Sequence, residues 1–134
     1  MTNLSDLKRR IRVYISGGIS GKPNGNKEAF MDMEKKLHAL GFDVENPRRS
    51  VWPGYLSMED RVEFCQGWSI MMRHALHQQA TCDAIVFLPD WQKSRGACIE
   101  YQMARVFRQP CFNADLQEIL INGYDVPHTV LDTP

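Results

Sequence analysis

The five residues AIVFL, Ala84 to Leu88, constrain this chain more than any other stretch. A continuous apolar run of that length suits a strand covered on both faces, and such strands lie at the centre of parallel sheets. Parallel neighbours need crossover connections, which are right-handed and usually carry a helix. The remaining sequence must therefore supply strands and helices in alternation.

It does so. IRVYIS, Ile11 to Ser16, is short, rich in β-branched residues and halted by GGISG, as a buried strand running into a turn would be. From Asn26 to Leu40, the residues Phe30, Met33, Leu37 and Leu40 recur at helical spacing, with Asn26 as a cap and Gly41 beyond the end. FDVEN, Phe42 to Asn46, forms a second strand ended by Pro47. After the loop PRRSVWPGYLS, Ser57 and Asp60 make a capping box for a long helix reaching Gln79. Val62, Cys65, Ile70, Met71 and Leu76 supply its apolar positions, and Gly67 allows a break. Ser94 caps the next helix, whose inward stripe is expected to be Ile99, Met103, Val106 and Phe107, ending before Pro110. CFN, from Cys111, is a weak fourth strand, and Asp115 to Ile121 is expected to form a last short helix.

This order predicts an α/β protein: a three-layer flavodoxin-like or Rossmann-like sandwich, with a mostly parallel sheet of four to five strands in order 2-1-3-4. In such sheets ligands bind beyond the carboxyl ends of strands 1 and 3, where the winding direction reverses. Those ends carry GGISG and DWQKSRG. Candidate substrate contacts are Ser16, Gly17, Gly18, Ile19, Ser20 and Gly21 from the first turn, and Trp91, Ser94, Arg95 and Gly96 from the second. The glycine turn offers backbone N–H groups without side-chain bulk, and SRGA sets a hydroxyl and a guanidinium at a helix start, both suited to phosphate or sugar hydroxyls. The glycine spacing matches neither a Walker loop nor a dinucleotide fingerprint. Arg48, Arg49, Trp52 and Tyr55 lie on the loop that borders the same rim.

Composition narrows the function classes. The 134 residues fit a single domain, 1–134, with 1–10 as a polar leader and 123–134 as a C-terminal tail. Hydrophobic residues make up 43% of the chain and its formal net charge is zero, so neither a disordered chain nor a partner for polymeric nucleic acid is indicated. Cys65, Cys82, Cys98 and Cys111 are spaced too widely for a zinc ribbon and read as reduced thiols. The N-terminus has no apolar segment of signal-peptide type, and no stretch approaches the roughly 20 apolar residues that cross a bilayer, so a soluble cytoplasmic protein is expected. His74 and His77 at i, i+3 near Cys82 lack a third ligand at a metal-binding spacing, and no metal site is assigned.

Glu100 is the sharpest candidate for chemistry. With Ser94 as the cap it falls in the second helical turn, at the edge of the expected buried stripe and near the strand ends. A carboxylate partly withdrawn from water there can act as nucleophile or general base. A solvated helix glutamate is the plainer alternative.

Taken together, VYISGGISG, CDAIVFLPDW and SRGACIEYQMA resemble the nucleoside 2-deoxyribosyltransferase superfamily over roughly Arg12 to Pro110, most closely a branch common in phages and prophages. The resemblance implies cleavage of an N-glycosidic bond, or deoxyribosyl transfer, on a nucleoside or nucleotide through a covalent glycosyl-glutamate. It implies Glu100 as the nucleophile and Tyr14 as the residue that positions it. His74 stands where those transferases carry an aspartate, and a histidine could take over proton delivery to the leaving base. Ser94 stands where they carry a base-recognising aspartate; nucleotide-hydrolysing relatives have serine there. No cofactor is implied, and a homodimer or higher homo-oligomer is expected. The alternative is a non-catalytic module that senses or sequesters a nucleotide.

Overall fold

The computed structural model of the protein describes residues 11–19, 22–49 and 65–119. Strands β1 (Arg12–Ser16), β2 (Asp43–Glu45), β3 (Ala84–Phe87) and β4 (Cys111–Phe112) form one sheet in the order β2-β1-β3-β4, with every pair parallel. Helices α1 (Lys27–Ala39), α2 (Cys65–Ala80) and α3 (Arg95–Phe107) intervene. The fold is thus the predicted α/β arrangement with four strands. Tyr14 pairs with Glu45 on one side and Ile85 on the other, and Ser16 pairs with Phe87.

Side chains alternate across a strand, and the two cores follow that alternation. Val13, Ile15, Ala84, Val86 and Leu88 pack with Phe30, Met33 and Leu37 of α1. Tyr14, Ile85 and Phe87 face the other way, onto Ala97, Cys98, Tyr101 and Ala104 of α3. All four residues of β3 are buried, as its uninterrupted apolar sequence requires. A tilted cluster of Phe87, Trp91 and Tyr101, with ring centroids 4.6 to 5.8 Å apart, fills the α3 side.

The boundaries of α1 and α3 and the end of α2 lie close to expectation, but the faces do not all agree. Asn26 does not cap α1 through its side chain: its backbone is left-handed and its Nδ2 donates instead to the Gly18 carbonyl at 2.9 Å. Leu40, expected in the α1 stripe, is exposed. On α3 the inward face is rotated from the expected one. Val106 is 71% exposed and Phe107 42%, whereas Ala97, Tyr101 and Ala104 are buried. Alanines carry nothing beyond Cβ, so this face lets the helix lie close to the sheet, with one large ring to fill the gap. The segment from Asp115 forms no helix up to Ile119. Asn113 Oδ1 accepts from the amides of Asp115 and Gln117, turning the chain into an antiparallel bridge between Phe112 and Glu118. Ser57, Asp60 and Val62 lie outside the described residues, as do the leader and the tail.

Among the described residues no helix is long and apolar enough to cross a membrane.

The rotated face has a measurable consequence. Ala104→Val overfills the contact between α3 and the sheet and is expected to cost about 1 to 3 kcal/mol. Val106→Ser should change stability by less than about 0.5 kcal/mol, as exposed positions do. Urea unfolding of both variants checks the assignment, and equal losses would contradict it.

Candidate active site

Two hydroxyls on one strand and one carboxylate on one helix form the centre of the site. Tyr14 and Ser16 are two apart on β1 and so project from the same face, toward α3. On α3, the backbone amide of Ala97 donates to Ser94 Oγ at 3.2 Å, fixing the start of the helix. Position 100 then falls one turn after Ala97 and beside Tyr101, on the inward face. The Tyr14 hydroxyl donates to Glu100 Oε2, and the Ser16 hydroxyl donates to Oε1 at 2.7 Å. All three residues are buried, Glu100 at 5% exposure. A further tie comes from α2, where buried Gln79 donates through Nε2 to the Glu100 carbonyl at 2.8 Å.

No cation among the described residues forms an ion pair with Glu100; the ion pairs seen there are Arg12 with Glu45 and Lys22 with Asp90. Burial therefore dominates its titration and raises its pKa from 4.5 to about 7, although the hydrogen bonds from Tyr14 and Ser16 pull the other way. Burial, together with the neighbouring carboxylate, pushes the Tyr14 phenol well above 10, so it stays a donor.

Glu100 and Tyr14 open onto a cavity of about 280 Å³ at the carboxyl ends of β1 and β3. Gly17, Gly18 and Ile19 form one wall and Ser94, Arg95, Gly96 and Ala97 another. The two turns approach closely. A Cβ on Gly18 would lie 3.5 Å from Ser94 Cβ, and one on Gly17 would lie 2.9 Å from Leu88 Cβ, too near to fit without movement. Gly96 has a similar constraint, since its Cβ would meet Met72 Sδ at 3.1 Å. From α2 come Trp68, Met71, Met72, His74, Ala75 and Gln78, and His74 thus shares the cavity with Glu100. Arg95 is seated over the Trp68 ring, 4.6 Å from its centroid.

Of the candidates from sequence, the structure gathers Glu100, Tyr14, His74, Gly17, Gly18, Ile19, Ser94, Arg95 and Gly96 around one cavity, with Ser16 hydrogen-bonded to Glu100. Trp91 is not part of the lining; it is buried in the aromatic cluster with Phe87 and Tyr101. Ser20 and Gly21 lie outside the described residues.

The sequence matches, over residues 11–112, the family described as Domain of unknown function (DUF4406). The chain belongs to that family. No curated protein sequence matches it. Among solved structures, a 2-deoxyribosyltransferase from the psychrotolerant bacterium Bacillus psychrosaccharolyticus is similar, with a TM-score of 0.53 and 19% identity, over 83% of this chain and 77% of that one. At that identity the likeness is one of fold.

This DUF4406 chain also uses residues that its sequence did not single out. Lys22, Phe30, Trp68, Met72, Gln78, Asp90 and Lys93 line the cavity, and the Lys22 ammonium lies 3.7 Å from Asp90 Oδ2, linking the turns after β1 and β3. Asp90 and Lys93 belong to the DWQKSRG turn, Phe30 to the α1 stripe, and Trp68, Met72 and Gln78 reach the cavity from α2 through the tertiary fold.

Because folding raises the Glu100 pKa, the folded protein holds a proton that the unfolded chain releases between about pH 4.5 and about pH 7. The destabilisation is absent below that window, grows through it and is complete above it. In Glu100→Gln it is missing. The stability difference between variant and wild type should therefore move in the variant's favour by on the order of 3 kcal/mol from about pH 4 to about pH 8. Denaturant unfolding at several pH values measures it, and a flat difference would show that the carboxyl is not held in a water-poor site.

Proposed function

We propose that this protein cleaves the N-glycosidic bond of a nucleoside or nucleotide, or transfers its deoxyribosyl group, with Glu100 as the nucleophile. The supporting observation is the carboxylate itself: it is buried without a counter-charge among the described residues, it is held by the hydroxyls of Tyr14 and Ser16, and it faces a cavity at the switch point of the sheet. A carboxylate serving packing alone would be paired with a cation or left in water. Strongly shifted groups in clefts are found preferentially where chemistry is done.

Glu100 Oε attacks the anomeric carbon as the bond from that carbon to the base nitrogen breaks. The electron pair of the broken bond passes to the base, and His74, on the α2 wall, delivers the proton that the leaving nitrogen accepts. The resulting glycosyl ester is opened at the same carbon by water in a hydrolase, or by a second base in a transferase. Two displacements give net retention of configuration. Tyr14 and Ser16 fix both carboxylate oxygens before the substrate arrives, and small displacements of a nucleophile cost large rate factors. Trp68, Met71 and Met72 offer an apolar aromatic wall suited to a nucleobase.

The test is release of free base, read by chromatography, from a panel of 2'-deoxynucleosides and their 5'-monophosphates. Glu100→Gln should lower turnover about 10³-fold or more, and Tyr14→Phe roughly 10²-fold. The nucleophile must be ionised, so the wild-type rate should rise with pH through about 7. Tight nucleotide binding without base release would favour a sensing or sequestering module instead.

A further inference from the structure

Resting on that reading, which leaves nucleoside and nucleotide both open, we propose that the cavity is built for the nucleotide and that Arg48 is the residue that binds its phosphate. Among the described residues four cations line the cavity, Lys22, Arg48, Lys93 and Arg95, against the carboxylates Asp90 and Glu100. Two of the four are already engaged. Lys22 has Asp90 as its partner, and Arg95 lies over the Trp68 ring.

Arg48 is held differently. It follows β2 in a short turn, Pro47–Arg49, and its backbone amide donates to Oδ1 of buried Asn46 at 2.9 Å. Its guanidinium packs against Gly25, where a Cβ would lie 3.0 Å from Nη2. Gly25 occupies the middle of three consecutive left-handed residues, Asn24, Gly25 and Asn26, with φ of 50°, 59° and 60°. Glycine and asparagine are the residues that tolerate that backbone. Asn26 then ties the turn to the glycine loop through its bond to the Gly18 carbonyl. A left-handed turn thus packs against the guanidinium and is anchored to the loop that walls the cavity.

The Nε–H of Arg48 is buried and has no acceptor among the described residues. A buried donor on a charged group left without an acceptor is costly, and such donors are nearly always satisfied. A phosphate supplies what is missing: anionic oxygens that a guanidinium engages two at a time through its planar fork. A nucleoside offers only neutral oxygens and leaves the charge uncompensated.

Calorimetric titration of wild type and Glu100→Gln with 2'-deoxynucleoside 5'-monophosphates and with the matching 2'-deoxynucleosides tests the proposal. The monophosphates should bind at least about tenfold more tightly. Arg48→Gln should erase that advantage while changing nucleoside affinity less than about twofold, and inorganic phosphate should compete with the monophosphate in wild type but not in Arg48→Gln. Equal affinities for the two ligand series, equal losses of both in Arg48→Gln, or no binding of either would overturn the assignment. If monophosphates bind through Arg48 and wild type releases no base, the glycosidic reading fails and the phosphate site stands.

Discussion

The short hydrogen-bonded bridge from the β1 hydroxyls to the Glu100 carboxyl is the constraint around which the rest of this molecule is arranged. It joins the central region of the sheet to the helix that covers it, in a layer where nearly every other contact is apolar. Satisfying a carboxyl there needs donors of fixed geometry, and Tyr14 and Ser16 provide them because strand residues two apart share a face. Ala97 and Ala104 let α3 sit close enough for the bridge to form, while Tyr101 with Phe87 and Trp91 fills the volume beside it.

Around that bridge the cavity draws on loops that follow three strands, on the start of α3, and on α2, which brings His74 together with an apolar wall. Gly17 and Gly18 lie against Leu88 and Ser94 where the turns after β1 and β3 meet, Gly96 lies against Met72 of α2, and the turn after β2 brings in Arg48. The carboxyl ends of parallel strands gather such loops in one place wherever the winding reverses. The α2 wall brings Trp68, Met71 and Met72 to the cavity, and Arg95 lies over the Trp68 ring, so apolar surface and cationic groups meet there.

Much of this was legible in the sequence. The run AIVFL identified a central strand, and the alternation of strands and helices gave the sheet order. Glu100 stood out through its position after the Ser94 cap. Large apolar side chains do not mark the inward face of α3: Ile99, Met103, Val106 and Phe107 are less buried than Ala97 and Ala104. Small residues signal close approach only once the opposing surface is known. Asp115 to Ile119 reads as helical in composition, yet Asn113 captures two downstream amides with its side chain and turns the chain back. Asp90 opens the DWQKSRG turn and Lys22 follows the glycine turn, beside the residues that the sequence marks, whereas Trp68 reaches the cavity only through the tertiary fold.

That both hydroxyls come from a single strand ties fidelity of folding to chemistry. Sliding β1 by one residue would turn Tyr14 and Ser16 toward α1 and carry Val13 and Ile15 to the polar bridge. Such a molecule would lose its hydrocarbon interior and its reactive centre in one stroke. A chain wired this way has no well-packed but inert isomer along that coordinate, and the requirement to pack β1 in one phase also protects the geometry on which its reactivity depends.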